Sequence, residues 1–572
     1  MGYMDEYRAW LDHFSGDLKL TEELNAIQDE KEIEDRFYTD LSFGTAGMRG
    51  VLGMGRNRMN IYTVRRASFG LADFLLGDGS ADKGVVIAYD SRNMSSEFAM
   101  EAALSLAARG VKAYLFDSLR PVPVLSFAVR HLGTAAGIVV TASHNPPQYN
   151  GYKVYAADGA QLGPEAADAV TEKIRALSYF DLKPMDEAEA KEKGLLQIIG
   201  DAEVDTDYIA MIKSLSLRPE LLKEKGKDLS IVYTPLHGSG NVPVRRMLKE
   251  LGVEHVAVVK EQELPDGNFP TVKAPNPEDP NAFTLAIPLA DQTGATVVFG
   301  TDPDCDRMGV AVRDSEGVFH TLTGNQIGCL LLSHVLSSRK LNGTLPENGA
   351  AVKSIVSTEM ARFICKDYGV ELFDVLTGFK FIGEKIQQFE ESGSHSFLFG
   401  FEESFGFLSG TRVRDKDGVN ASLLLCEAAC AAADEGVTLY DKLQALFEKY
   451  GYYTEKVLSV TLPGKDGVQK MKDIMASLRA HAPEQLAGLR VTAKRDYKSG
   501  IRTDLLSGKE NEMGLPASDV LYWELENGNW VCVRPSGTEP KIKLYVNTRA
   551  SSEKESVELN EQLKEAAQAL LG

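Results

Sequence analysis

The chain has 572 residues, 44% of them hydrophobic and 25% charged, and carries 62 Lys and Arg against 82 Asp and Glu, a net charge of −20. This is ordinary globular composition with room for three or four domains, and the negative balance argues against nucleic acid or an anionic membrane as a partner, so an anionic small substrate would need cations gathered locally. No run approaches the ~20 apolar residues of a bilayer span, the first residues lack a secretory leader, and six cysteines without a C-x-x-C pair indicate neither a disulfide framework nor a zinc site, which together point to a cytoplasmic protein.

In chain order, residues 1–40 read as an acidic helical lead-in. Residues 41–50, L-S-F-G-T-A-G-M-R-G, form a glycine-rich loop in which Arg49 stands between Gly47 and Gly50. Backbone can approach a ligand closely there, and a guanidinium suits phosphate. Arg56, Arg58, Arg65 and Arg66 read as a solvated helix face. From residue 84 a pattern starts that recurs: a strand at 84–90, a helix to about 108, a strand at 110–116, a helix, and a strand at 137–140 running into T-A-S-H-N-P at 141–146. The same order returns at 229–233, 252–259 and 295–299, and again at 350–356, 369–375 and 396–399. Each unit sets a Gly-Val before its middle strand and ends its last strand in a polar loop. From Gly110 to Ser143 is 33 residues, as from Gly369 to Glu402, while the middle unit is lengthened by a Pro/Asn/Asp-rich insertion at 265–280. This is a divergent threefold α/β repeat with its polar loops at equivalent places. From about residue 451 the pattern changes to alternating strands at 453–462, 530–533 and 541–546, then a terminal helix opened by a capping box at Ser552 and Glu555, a smaller α+β unit.

The polar loops carry the chemistry. The run at 137–140 is apolar and β-branched, a strand buried on both faces, and it delivers the Ser143 hydroxyl and the His144 imidazole to its C-terminal tip, where ligands bind in open α/β sheets. Asp302, Asp304 and Asp306 alternate after another buried strand. Two carboxylates about 4 Å apart repel by roughly 4 kcal/mol at an effective dielectric of 20, so three need a cation or a proton. Their all-oxygen set suits a hard ion, foremost Mg²⁺; Pro303, Arg307 and Arg313 exclude an EF-hand loop. Arg49, Lys153, Arg307 and Lys380 are the cations that would offset this charge if the repeats converge. Arg534, Ser536, Gly537 and Thr538 combine a guanidinium, two hydroxyls and a glycine, an anion cradle. Glu402 and Ser404 suit sugar hydroxyls.

Through T-A-S-H-N-P (141–146), D-P-D-C-D-R (302–307), Glu402 with Ser404, and R-P-S-G-T-E-P (534–540), the chain resembles the α-D-phosphohexomutases, the phosphoglucomutase/phosphomannomutase superfamily, over essentially its whole length. The elements F-G-T-A-G-M-R-G and T-A-S-H-N-P-P-Q-Y-N-G-Y-K-V-Y are most similar to the branch holding bacterial phosphoglucomutases and phosphopentomutase-type enzymes. The resemblance implies an α/β fold: three consecutive similar α/β domains with mixed sheets and a C-terminal α+β domain around a central cleft, here 1–210, 211–321, 322–450 and 451–572. It also implies a phosphorylated Ser143, one Mg²⁺ held by Asp302, Asp304 and Asp306 with Ser143 bridging, and a sugar-specificity loop at Gly378, Phe379 and Lys380. Arg307 would stand beside the metal, Glu402 and Ser404 would read sugar hydroxyls, and Arg534, Ser536, Gly537 and Thr538 would hold the non-reacting phosphate. Two departures are Cys305, where a smaller residue is usual, and G-F-E-E-S in the sugar loop. The reaction implied is isomerisation of glucose 1-phosphate and glucose 6-phosphate through glucose 1,6-bisphosphate, with Lys153 or His144 taking the hydroxyl proton and Arg49 assisting. Lys153 ranks first because a nearby arginine would depress its pKa. A pentose or mannose phosphate as substrate, and a catalytically silent sugar-phosphate binder, are the alternatives. The expected partner is a small sugar phosphate, in a monomer or weak homodimer.

Overall fold

The computed structural model describes residues 2–44, 47–462, 467–536 and 541–571. Three consecutive sheets repeat one plan. In the first, Val85–Tyr89 lies between Ala113–Phe116 and Ala136–Val140, parallel to both, and Tyr149–Ala156 returns antiparallel beside Ala136–Val140. In the second, Ser230–Thr234 lies between His255–Val258 and Val297–Thr301, and Met308–Arg313 returns. In the third, Gly349–Ser354 lies between Glu371–Val375 and Ser396–Glu402, and Gly406–Leu408 returns. Each polar loop is therefore the turn of an antiparallel hairpin at the end of the third parallel strand. Each holds one non-glycine residue at positive φ: Ser143 at 52°, Cys305 at 50° and Phe405 at 63°.

The Gly-Val pairs have a local cause. Gly110, Gly252 and Gly369 sit at φ 78°, 86° and 68°, the left-handed conformation that ends a helix without a Cβ penalty. The valine after each glycine donates its N–H back to the last helical turn, from Val111 to Leu106, Val253 to Leu248 and Val370 to Cys365, each at 3.0 Å. All three valines are buried, so each pair both stops a helix and seats the next strand.

A continuous core runs through the three repeats, from Val86 and Phe127 through Tyr208 and Val310 to Phe401 and Leu424. The C-terminal unit is an antiparallel sheet in the order Tyr452–Thr461, Lys541–Ala550, Trp530–Pro535, Leu521–Leu525, Leu489–Asp496, Ile501–Asp504, Glu510–Glu512. It has its own core under the helices Gly467–Ala480 and Glu553–Gln568. A smaller cluster, Ile355, Val356 and Leu376 against Tyr522, Trp530 and Tyr545, joins it to the third repeat.

Two local expectations are corrected. The arginines after the glycine-rich loop are not a solvated face: Arg58 and Arg66 are each 6% exposed. Arg58 pairs with Asp35 and Glu32, Arg66 and Arg56 share Asp40, and Arg65 pairs with Glu101. Arg56, Arg58 and Arg66 thus clip the leading segment onto the first repeat. The terminal helix carries half of a capping box. Ser552 Oγ accepts the Glu555 N–H, whereas the Glu555 carboxylate turns to Ser551, whose N–H and hydroxyl it accepts at 3.2 and 2.6 Å.

Candidate active site

Backbone hydrogen bonds gather the hairpin turns. The turn after Val297–Thr301 is held from both sides: Asp304 O accepts the Val122 N–H of the first repeat, and Cys305 O accepts the Gly418 N–H of the third. Met308 N–H, at the same turn, donates to Phe405 O. A Cβ on Gly418 would lie 2.7 Å from Cys305 O, so this approach requires glycine. Residues hundreds of positions apart are brought to one place by main-chain contacts, before any side chain is considered.

Ser143 is buried, and its hydroxyl donates to Asp302 Oδ2 at 2.8 Å. Its Oγ also lies 3.1 Å from His144 Nδ1. Thr141 Oγ1 accepts the Ser143 N–H and stands 2.6 Å from Asp90 Oδ2 and 3.1 Å from Asp304 Oδ2. Asp302, Asp304 and Asp306 are buried, and one carboxylate oxygen of each lies within 4.8 Å of the others. Asp302 Oδ1 accepts the N–H groups of Asp306 and Arg307. Lys153 Nζ is 3.0 Å from Asp304 Oδ2 and 3.9 Å from Asp306 Oδ2, and Lys416 Nζ is 3.0 Å from Asp306 Oδ2.

These contacts set the electrostatics. Burial, then Asp304 and Asp306, push the Asp302 carboxyl well above its ordinary range. Burial acts the same way on Asp304, but the Lys153 ammonium and the hydrogen bonds from Asp302 and Lys153 outweigh it and hold that carboxyl down. Burial, helped by the Arg307 and Arg49 charges, holds His144 well below the usual histidine value, as a neutral imidazole. Burial and Glu403 push Glu402 up to about 7.

Arg49 and Arg307 stand next to this centre. Arg49, on the edge strand Met48–Val51, reaches across the Ser143 turn to Asn145 Oδ1 at 3.1 Å. Arg307 pairs with Glu278 of the insertion. Glu402 Oε1 accepts the Gly378 N–H at 2.7 Å, tying the third turn to the start of the helix Phe379–Ser392. Phe379 is buried, its ring 5.7 Å from Lys416 Nζ. Lys380 is not gathered with the aspartates: its Nζ lies over the Phe381 ring at 4.9 Å. Ser404, Glu403, Glu278, Lys543 and Tyr545 line a cavity of about 310 Å³ between the second repeat, the third and the C-terminal sheet. Arg534 is half-buried at the end of Trp530–Pro535, paired in register with Lys543, and Ser536 N–H donates to Lys541 O at 2.8 Å. Gly537 and Thr538 lie outside the described residues. A separate cavity of about 410 Å³, lined in part by Arg218, His334 and Lys442, holds none of the motif residues.

Comparison with known proteins shows the family of the chain. The family described as phosphoglucomutase/phosphomannomutase matches in four pieces: alpha/beta/alpha domain I over residues 40–180, domain II over 206–317, domain III over 323–450 and the C-terminal domain over 462–565. The phosphoglucomutase of Staphylococcus epidermidis is 38% identical over 539 residues, 94% of this chain and 96% of that one. The chain belongs to the phosphoglucomutase/phosphomannomutase family. In fold it is similar to a family protein from Burkholderia thailandensis, with TM-score 0.66, 21% identity and 92% and 97% of the two chains covered. It is likewise similar to the open form of Paramecium parafusin, with TM-score 0.68, 17% identity and 93% and 95% covered.

Within this family member the aspartate trio fits a hard divalent cation. Asp304 Oδ1 and Asp306 Oδ1 are buried without a hydrogen-bond partner, a costly state that a cation relieves. Sequence reasoning missed three charged groups of the site. Lys416 takes the neutralising place expected of Lys380; its signal was the run Arg414-Asp-Lys-Asp-Gly418 just before a helix. Glu278, in the insertion, claims Arg307. Arg92 donates to Ser143 O and to three further carbonyls of the same turn. Nothing in residues 90–92 alone marks it, because its four acceptors lie more than fifty positions away.

Proposed function

We propose that the chain is an isomerase that interconverts glucose 1-phosphate and glucose 6-phosphate through a phosphoserine at position 143 and a 1,6-bisphosphate intermediate. The observation carrying this reading is the Ser143 hydroxyl, 2.8 Å from Asp302 Oδ2 inside a buried aspartate trio. Asp302, Asp304 and Asp306, together with Ser143, would hold Mg²⁺, which would draw charge from the transferring phosphoryl group when bound. The bond from phosphorus to Ser143 Oγ breaks as a bond to the sugar hydroxyl oxygen forms, and the hydroxyl proton passes to a base. Turnover of the bisphosphate in the cleft then brings its other phosphate to Ser143. Positioning and fixed charge supply most of the acceleration.

Two observations support His144 over Lys153 as that base. The imidazole is held neutral and touches Ser143 Oγ, while Lys153 meets the carboxylates of Asp304 and Asp306, which suits a fixed cation balancing the trio. Arg49 and Arg307 would hold the transferring phosphate, and Glu402 and Ser404, with Gly378, Phe379 and Lys380 beside them, would read the sugar hydroxyls. Arg534 with Ser536, Gly537 and Thr538 would hold the other phosphate, and catalytic glucose 1,6-bisphosphate would prime the serine. We take the domains as 1–210, 211–321, 322–450 and 451–572.

The test is a panel of glucose, mannose and ribose 1-phosphates assayed with Mg²⁺ and catalytic glucose 1,6-bisphosphate, alongside mass analysis of Ser143. Fastest turnover on glucose 1-phosphate with a phosphorylated Ser143 is expected. Absent turnover on all three sugars with an unmodified serine would leave only a binding protein.

A further inference from the structure

Phe269 of the insertion at 265–280 and the buried cation Arg92 are given no role in the phosphoryl transfer above, yet they meet. The Arg92 side chain is fully buried. Its Nη1 donates to Pro146 O and Tyr149 O, each at 3.0 Å, and its Nη2 donates to Ser143 O at 2.5 Å and to Asn145 O. Its Nε faces Asp90 Oδ2 at 3.5 Å. One planar fork thus gathers four main-chain carbonyls of the turn that carries Ser143. That turn holds Ser143 at φ 52°, a conformation L-residues occupy only when their surroundings enforce it. Turned inward, its carbonyls would be costly without donors.

Cζ of the same guanidinium lies over the Phe269 ring, 5.0 Å from its centroid, and Phe269 is itself fully buried at φ 46°. The insertion is docked beside it: Asn93 Nδ2 donates to Asn268 Oδ1 at 3.0 Å, and a Cβ on Gly267 would lie 2.4 Å from the Asn93 nitrogen. We propose that Arg92 is a positioning residue, seated by Asp90 beside its Nε and by the Phe269 ring against its Cζ, that sets the left-handed turn aiming the Ser143 hydroxyl at Asp302. The insertion of the second repeat then acts as a strap across the first. A lysine cannot replace this fork, because an ammonium is a point donor without the planar geometry that spans four acceptors.

This inference rests on the phosphoserine reading, and its test separates the two. In the full-length enzyme, Arg92→Lys is expected to lower kcat by about 10²-fold, as a small misplacement of a reacting group does, with KM for glucose 1-phosphate held within about twofold. Hydrogen exchange across residues 141–149 should accelerate in the same variant. Phe269→Leu keeps the four hydrogen bonds and loses only the ring, so a kcat loss of about 3- to 10-fold is expected, again at constant KM. A folded Arg92→Lys enzyme with wild-type kcat and unchanged exchange would overturn the proposal. If Arg92→Lys does not fold, Phe269→Leu decides: wild-type kcat and exchange there would overturn it equally. If the wild-type chain itself shows no mutase turnover, the phosphoserine reading fails, and exchange across 141–149 alone judges the clamp.

Discussion

The three repeats and the C-terminal unit meet the same site in different ways. One continuous core reaches all three repeats, the first having a second core of its own around Ile138 and Val140, and the turns are stitched to one another by main-chain hydrogen bonds. Arg534 comes from a sheet with its own core, joined to the rest through a smaller apolar cluster. Groups that must be fixed to fractions of an ångström sit on the shared core. The group proposed to hold the distant phosphate sits on the unit with the smaller attachment, where domain motion is the ordinary expectation. Variants in the stitched turns should therefore damage kcat, and variants at Arg534 should damage KM.

The largest effect that would sharpen this contrast is Ser143→Ala, expected to lower kcat by roughly 10⁴-fold or more while leaving sugar-phosphate binding intact in calorimetry. Asp304→Asn removes a trio charge and leaves Lys153 with a weaker partner. A kcat loss of about 10²- to 10³-fold is expected there, and excess chelator should silence the wild-type enzyme likewise. Arg534→Gln tests the other side of the comparison. Losing one charge-assisted contact should raise KM by about 10- to 100-fold with little change in kcat, and a pure kcat defect would break the distinction.

A smaller effect concerns Glu402, whose carboxyl is raised to about 7 when folded against an ordinary 4.5. A raised folded value means its contribution is fully present below about pH 4.5 and is lost as pH rises to about 7. Glu402→Gln removes this dependence. Its unfolding free energy, measured against wild type, should shift in the variant's favour by roughly 1–3 kcal/mol between about pH 5 and about pH 8. The smallest effect is Gly110→Ala, Gly252→Ala or Gly369→Ala. A Cβ at each meets nothing within 4 Å, so only the left-handed backbone is penalised. About 1 kcal/mol of stability should be lost at each site with activity unchanged.

Much of this molecule was legible because its signals are local. A β-branched run ending in a polar turn reads as a strand tip, and a Gly-Val pair reads as a helix stop followed by a buried strand. Both are enforced by the sterics of adjacent residues, and both recur in all three repeats. D-x-D-x-D reads as a cation site because carboxylates that close repel wherever the loop is placed. Arg58 and Arg66, by contrast, were misread as solvated, since the acids that bury them, Asp35 and Asp40, stand on the leading segment. Lys380 was named among the balancing cations and Lys416 was not considered, for the same reason: proximity in sequence to a motif does not say which ammonium reaches the carboxylates.

The amino-acid order alone thus determined the repeated α/β plan, the turns that carry chemistry and the kinds of group they present, since short-range sterics and side-chain type are properties of neighbours. Only the tertiary structure decided that Ser143 touches Asp302, that Lys153 and Lys416 reach the trio, and that Arg92 donates to the carbonyls of the serine turn. Those are encounters between charges and carbonyls far apart along the chain, and their energies are set by burial and angle, which exist only once the repeats have packed.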